Sequence, residues 1–169
     1  MPKLDNKSVW VYNRILNSQR EGIKMSTRSA IGIMHGDNCK AIYCHSDGYL
    51  TYVGKVLLEN YDSTKANFLV AQGDCSMLGK EIGEKIDFND RMVYDTDNIA
   101  KQCRFYKRDR DETGVDFKTY FNDQELFAGI DAEYFYVMKD GVWFVSQGDA
   151  WEVLSEALER EETVGYKDY

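Results

Sequence analysis

Two stretches of the chain carry the pattern of a β-hairpin, in which short apolar runs flank a turn of small polar residues. In the first, residues 30–34 and 40–45 surround the sequence His-Gly-Asp-Asn at 35–38, and Gly, Asn and Asp tolerate the positive φ that a tight turn demands. In the second, residues 134–139 and 142–146 surround Asp-Gly, a strong signal for a type I′ turn. Both stretches are therefore predicted to be pairs of antiparallel strands.

The second hairpin is apolar on both of its faces. Successive side chains of a strand point to opposite faces, so the apolar residues fall into two sets. This is typical of a central hairpin, covered by helices on one side and by further chain or a second subunit on the other. The alternative is an exposed aromatic binding patch, and a homo-oligomer contact through residues 134–145 stays open. The first set is Tyr134, Tyr136, Met138, Trp143 and Val145, and the second is Phe135, Val137, Val142 and Phe144.

Apolar positions at helical spacing predict two helices after the first hairpin. Between residues 51 and 61 they recur at i, i+3, i+4 and i+8, which gives one buried face. A second helix is predicted over 63–72, between a cap residue and Gly73, and we expect it to pack Phe68 and Leu69. Residues 73–100 are rich in Gly and Asp and show only weak periodicity.

An acidic residue three positions after a cap residue resembles a capping box and marks the start of a helix. Asn122 and Asp149 are each followed at this spacing by a glutamate, which predicts helices over 123–130 and 150–161. Leu154 and Leu158, with Trp151, would seat the last helix. Together the elements predict an α+β fold, in which an antiparallel sheet built from hairpins carries about four packed helices.

Length and composition indicate one domain with a short extension. The chain has 169 residues, of which 43% are hydrophobic and 14% aromatic, enough to bury a core. We predict a single domain over 25–169 and an N-terminal extension over 1–24, whose apolar cluster around Trp10 has the spacing of one amphipathic helix. Met25 is an alternative start of translation.

The balance of charge excludes some partners. A net charge of −8 disfavours a nucleic-acid binder or a membrane-surface protein, because both gain affinity from excess Lys and Arg. It permits an acidic protein that binds a basic partner. No apolar run reaches the roughly 20 residues that a membrane-spanning helix needs.

The cysteines and histidines indicate neither catalysis nor a metal site. The four cysteines form no CxxC pair and nothing resembles a secretory signal, which favours reduced thiols in a cytoplasm. Cys44 and His45 are neighbours on a strand, so their side chains point to opposite faces and cannot act together as nucleophile and base. The gaps between His35, Cys39, Cys44 and His45 match no zinc knuckle or ribbon. We therefore assign no catalytic residue, metal or cofactor.

Two groups of residues are candidates for ligand binding. Asp47 follows His45 by two positions, where a carboxylate would fix the imidazole tautomer and raise its pKa; alternatively both satisfy backbone groups of the turn. Arg28 is expected to pair with Asp47, either as a binding site or as a structural salt bridge, and Tyr49 lies next to this turn.

The second group is the basic segment at 103–110. If it is a strand, Arg104 and Arg108 lie on one face with Tyr106 and Arg110, an arrangement suited to phosphate or to a carboxylate-rich partner. The alternative is a charged edge strand that discourages aggregation.

The acidic end of the chain is a candidate partner surface. Residues 149–169 contain seven Asp or Glu against Arg160 and Lys167. Most acidic helices are solvated faces, but Glu152, Glu156 and Glu159 could also imitate the phosphate charge of DNA and occupy a basic groove on a partner.

One segment carries a family resemblance. The order STRS, strand, turn, IYCHSDGY and VGKVLL within residues 26–61 resembles a signature of small uncharacterised proteins of tailed bacteriophages and prophages, and residues 133–145 resemble it more loosely. Ser46 stands where that pattern has Trp. The resemblance implies that the STRS tetrapeptide and the Cys-His-x-Asp-Gly-Tyr element meet in the fold.

The resemblance also implies a function. A phage accessory protein of this kind would act in the cytoplasm of the bacterial host by binding and inhibiting a host protein, one of defence or of host takeover, without catalysis. The alternative is a nucleotide or other phosphorylated small-molecule binding protein, or a small enzyme. It would be built from Arg28, His45, Asp47, Tyr49, Arg104 and Arg108, with guanidiniums for phosphates and tyrosines for a base.

Overall fold

The computed structural model describes residues 26–167, with side chains described as far as Thr163. The predicted extension over 1–24 lies outside these residues. Within them, eight strands form one sheet in the order β4-β3-β2-β1-β6-β7-β8, and β5 pairs with β2 beside β3. The strands are β1 Ser29–His35, β2 Asn38–Cys44, β3 Cys75–Met77, β4 Arg104–Phe105, β5 Lys118–Tyr120, β6 Tyr134–Lys139, β7 Val142–Ser146 and β8 Trp151–Val153.

Five α-helices accompany the sheet over the same range, so the predicted α+β class is confirmed. The first is entered through a π-helical turn at Leu50–Gly54. No helix among residues 26–167 is both long and apolar enough to cross a bilayer. The helices are α1 Lys55–Asn60, α2 Ser63–Ala71, α3 Tyr106–Arg110, α4 Asp123–Gly129 and α5 Leu154–Lys167.

Both predicted hairpins are present. β1 and β2 pair antiparallel around a turn with Gly36 at φ +61°, and β6 and β7 pair around Asp140 and Gly141, whose φ angles of 51° and 78° are those of a type I′ turn. The hairpins are joined through β1 and β6, which run parallel, and β2 and β3 are also parallel. The sheet is therefore mixed and not antiparallel throughout as predicted, because long connections return the chain to the same end of the sheet.

The sheet has a core on each face, which explains the two apolar sets of the second hairpin. Tyr136 and Trp143 belong to a large first core covered by α1, α2 and α5. Phe135 and Val137 belong to a smaller second core, where Leu126 of α4 packs. Because both sides of the sheet are covered at β6, both faces of this strand are buried, with Lys139 at its end exposed. We call the face with the smaller core the second face.

Two details of the predicted helices are wrong. Leu69 of α2 is fully buried as expected, but Phe68 is 62% exposed. The capping box at Asp149 and Glu152 does not start a helix: Ser146 Oγ accepts from the backbone N–H groups of Gly148 and Asp149 and closes a turn, and the chain then forms β8. Helix α5 begins only at Leu154, which together with Leu158 seats it in the first core.

The segment that showed little periodicity is held by side chains rather than by regular structure. Leu78, Ile99 and Cys103 enter the first core. The carboxylate of Asp109 is fully shielded from solvent and accepts from the N–H groups of Phe105 and Ile86, at 2.8 and 3.0 Å. It thereby ties residues 78–103 to β4.

Candidate functional site

The register of the first hairpin brings Arg28, Tyr43 and His45 together. Ala30 pairs with Tyr43 and Ser29 with Cys44, so one further step along the ladder sets Arg28 beside His45. Alternation along each strand puts all three side chains on the second face. Cys44 points the other way and is fully buried in the first core, which confirms that it and His45 face opposite sides.

A cleft of about 210 Å³ opens beside these residues, with Arg28, Tyr43, Tyr120 and Asp131 in its walls. Arg28 Nη1 donates to Asp131 Oδ2 at 2.9 Å, and the Asp131 side chain is 92% exposed, so the pair stands at the rim. The Nε of Arg28 lies deeper. It is shielded from solvent and has no hydrogen-bond partner among the described residues.

Tyr43 and His45 form a neutral pair next to the guanidinium. The Tyr43 hydroxyl and His45 Nδ1 are 2.7 Å apart. Burial raises the pKa of Tyr43 to about 12, so the phenol keeps its proton at neutral pH. Burial, followed by the charge of Arg28, lowers the pKa of His45. At neutral pH the imidazole is therefore uncharged, and which of the two groups donates depends on which ring nitrogen carries the hydrogen.

Asp74 fills a gap in the sheet at the back of the cleft. The free edge of β2 is shared by β3, which pairs at Cys44, and by β5, which pairs at residues 39–41. Between these pairings the Tyr43 N–H donates to Asp74 Oδ1 at 2.9 Å. Burial raises the pKa of Asp74, and the nearby charge of Lys118 opposes that rise.

The charges around the cleft largely offset one another. Arg28 pairs with Asp131, Lys107 pairs with Asp116 at 2.8 Å, and Lys118 stands near Asp74. The cleft is therefore a polar site rather than a strongly cationic groove, and the buried Nε–H of Arg28 is its unsatisfied donor among the described residues.

The predicted pairings of Asp47 are wrong. Arg28 pairs with Asp131 instead, and the pKa of His45 is lowered rather than raised, with Tyr43 holding its Nδ1. Asp47 adopts φ +55° and its carbonyl accepts from Val53 N–H at 3.2 Å. Its carboxyl is half-buried, which raises its pKa, and it faces Tyr49 on the approach to α1.

The predicted meeting of the STRS tetrapeptide with the Cys-His-x-Asp-Gly-Tyr element is confirmed. Gly48 N–H donates to the carbonyl of Thr27 at 2.7 Å. A Cβ at Gly48 would lie 2.8 Å from that same oxygen, so this approach requires glycine. It holds Arg28 in place at the entry to β1.

Arg104 and Arg108 do not join the cleft. The strand that would have lined them up ends at Phe105, and α3 follows. Arg104 Nη1 donates to the Phe88 carbonyl at 3.2 Å. Arg108 donates to the carbonyls of Ile82, Gly83 and Cys103 and pairs with the Asp109 carboxylate at 2.9 Å. Backbone carbonyls thus engage both guanidiniums, which hold the irregular segment in place, although Arg104 Nε is shielded from solvent and has no partner among the described residues.

The three glutamates of the predicted partner surface are divided between two elements. Glu152 lies on β8 and receives two hydrogen bonds from Arg160, at 2.8 and 3.0 Å. Glu156 and Glu159 lie on α5 and are exposed. The acidic surface is therefore smaller and partly neutralised.

The cysteines and histidines are spread over the fold. His35 and His45 stand at opposite ends of the first hairpin, and Cys39 and Cys44 lie on opposite faces of β2. Between residues 26 and 167 no group of three or more His, Cys, Asp or Glu side chains is arranged to hold a metal ion.

Tyr43 and Asp131 are site residues that sequence reasoning missed. The two-residue turn already implies that Arg28 lies beside His45 and that Tyr43 shares their face, so the hairpin register was a usable signal for Tyr43. Nothing in the local pattern points to Asp131, which reaches Arg28 only because β6 pairs with β1.

No family model, curated protein or solved structure matches this chain.

Proposed function

We propose that the chain is a binding protein and that the cleft at Arg28 takes a small molecule bearing a phosphate or carboxylate group. The observation that carries this is the Arg28 Nε, a charged donor shielded from solvent and without a partner in the described chain. An unsatisfied buried donor costs about 1–3 kcal/mol, and an anionic oxygen is the acceptor that best matches a guanidinium.

The neutral pair beside Arg28 supports binding rather than proton transfer. His45 Nδ1 is engaged by the Tyr43 hydroxyl at 2.7 Å, and His45 is not among the residues that line the cleft. A general base needs a free lone pair near the proton that it removes. His45 is therefore not placed to take a proton from a ligand in the cleft, where Arg28 supplies the charged donor.

The size of the cleft limits the ligand. A dry cavity of about 150 Å³ accommodates one benzene molecule, so the cleft, at about 210 Å³, has room for a single ring or an esterified phosphate. Tyr43 and Tyr120 supply aromatic walls against which a planar ring could pack. A nucleoside monophosphate with its remaining atoms over the open rim meets these limits.

In a phage-type accessory protein, such a cleft would sequester a phosphorylated metabolite in the cytoplasm of the host. We propose inhibition of a host protein as the second function, supported by the exposed glutamates of α5, which leave an acidic strip at Glu156 and Glu159.

Isothermal titration calorimetry with inorganic phosphate and the nucleoside monophosphates tests the first proposal. We expect at least one of them to bind, and Arg28→Ala to weaken that binding by about tenfold to a hundredfold, because a hydrogen bond to a charged group contributes about 1.5–3 kcal/mol. The free energy of unfolding should fall by less than about 1 kcal/mol, since the Arg28 pair with Asp131 is at the surface.

Arg160→Ala is the matched control, because it removes an exposed, ion-paired arginine far from the cleft in sequence. It should leave affinity unchanged. Binding that survives Arg28→Ala, or no binding of any of these anions to the unmodified chain, would contradict the proposal.

A further inference from the structure

A second cavity, of about 230 Å³, opens at the other end of the second face, where the turns of the two hairpins stand. Its floor comes from the sheet and its walls from α4, β5 and β8. Of the residues that line the Arg28 cleft, it shares only Tyr120. The apolar and aromatic lining consists chiefly of Cys39, Tyr120, Leu126, Val137, Phe144 and Trp151.

Two carboxylates line this cavity, Asp37 and Asp123, and Asp123 is bonded to its aromatic wall. Asp123, in the first turn of α4, accepts from Trp151 Nε1 at 3.0 Å through Oδ2. Its charge also reaches the thiol in the floor: burial, and after it the Asp123 carboxylate, raises the pKa of Cys39 to about 12. The carboxylate therefore lies at the Trp151 wall of a cavity that Cys39 also lines.

Asp123 retains capacity for a cationic partner. An ionised carboxylate has about four acceptor positions, and Trp151 uses one. In the described chain no lysine, arginine or histidine forms an ion pair with Asp123. The remaining charges of the rim, Asp37 and Lys139, are of opposite sign and stand at the two hairpin turns, so they offset each other and leave Asp123 as the net charge of the mouth.

We propose that this cavity binds a small organic amine with an aromatic or branched apolar body, its ammonium group on Asp123 and its body against Trp151 and Phe144. The apolar lining favours the body by burial. Aromatic faces attract a cation, and the carboxylate at the mouth repels an anion. Since about 150 Å³ is enough for benzene, the cavity accommodates a bicyclic ring whose short chain reaches the mouth.

Calorimetric titration of the full chain with tryptamine and with indole-3-acetate tests the sign of the charge. The two ligands share their ring and differ in the charge of their side chain. We expect tryptamine to bind at least tenfold more tightly. Because this comparison uses the unmodified protein, it does not depend on whether a variant folds.

The variant Asp123→Asn tests whether the charge of Asp123 contributes to amine binding. The amide oxygen can still accept from Trp151 Nε1, but the charge is gone, so tryptamine affinity should fall about tenfold or more. Asp90→Asn removes an exposed carboxylate that lines neither cavity and should leave the tryptamine affinity unchanged. Equal affinity for the two ligands, tryptamine binding that is unaltered by Asp123→Asn, or no tryptamine binding at millimolar concentration would overturn the proposal. None of these results bears on the Arg28 cleft, whose ligand is anionic.

Discussion

His45 is a residue whose charge state is set by its surroundings next to the Arg28 cleft. Its imidazole is half-buried, is hydrogen-bonded to Tyr43 and stands beside the Arg28 guanidinium. Burial and the positive neighbour both disfavour the imidazolium form. Of Arg28, Tyr43 and His45, only Arg28 is therefore charged at neutral pH. Protonation of His45 would have to overcome both burial and the repulsion by Arg28.

We predict that His45 titrates below the ordinary histidine pKa of about 6.5 and that Arg28→Ala raises that pKa, because the repelling charge is removed. Arg28→Lys keeps the charge and should leave the pKa low. NMR titration of the imidazole signals measures this directly. A pKa for His45 at or above 6.5 in the unmodified protein would contradict the neutral pair.

The same shift has a consequence for stability. Since the folded pKa is depressed, the unfolded chain binds the proton more tightly, and the contribution of His45 to stability is fully present above about pH 6.5. It is lost as the pH falls through the folded pKa. Asp47 and Asp74 have raised pKa values, so the contribution of their protonated forms to stability is lost as the pH rises through those values. This change falls at lower pH than that of His45, near the usual carboxyl range.

Among the elements, the strand-to-helix junction at β8 and α5 departs most from the local pattern. Glu152 and Trp151 have the spacing of a helical first turn but pair with β7, because Trp151 packs against Phe127 on the second face while Leu154 enters the first core. A helix over all of these residues would place Trp151 and Leu154 on one side. The junction thus divides the acidic residues between two elements.

The second candidate function makes a prediction at this scale. If the acidic strip of α5 binds a basic host protein, Glu156→Lys with Glu159→Lys should abolish co-purification of that protein from a bacterial lysate. Both side chains are exposed, so the free energy of unfolding should change by no more than about 0.5 kcal/mol. Glu152→Gln is the control, because Arg160 already neutralises that residue. An unchanged set of co-purified proteins would eliminate the acidic strip as the partner surface.

At the scale of the whole molecule, one sheet separates two cores of unequal size. The first core is large and covered by three helices, whereas the second is small and has α4 as its main cover. Both cavities open on the thinly covered face, at its two ends, with Tyr120 between them. A Cβ on Gly129 of α4 would lie 2.4 Å from Tyr120 Cε1, so the helix rests directly on that ring.

Among the described residues, those of both cores come from 30–158. The helix and hairpin signals of the sequence also lie after Met25, and this leads to a prediction for the segment that precedes it. A chain starting at Met25 should unfold in one cooperative transition, with a midpoint within a few degrees of that of the full chain. Differential scanning calorimetry measures both. Loss of the cooperative transition would show that residues 1–24, with Trp10, contribute to the folded core.

The local pattern determined the hairpins, because a Gly or Asp-Gly turn specifies both the bend and the register. It also indicated that the second hairpin would be covered on both faces, which holds for β6, whereas Val142 of β7 is 42% exposed. It predicted a cap at residue 62 or 63 and at Asn122, and the side chains of Asp62 and Asn122 accept from the Lys65 and Glu125 N–H groups at 2.8 Å. These features depend on residues close together in the chain.

The tertiary structure alone decided the partners of the charged residues. Arg28 meets Asp131 because β1 pairs with β6, and Arg108 is bound by carbonyls of a segment that has no period of its own. The capping-box spacing at Asp149 was overridden because Trp151 and Leu154 are buried on opposite faces of the sheet. Contacts between distant parts of a chain depend on how its elements pack, and no local spacing encodes them.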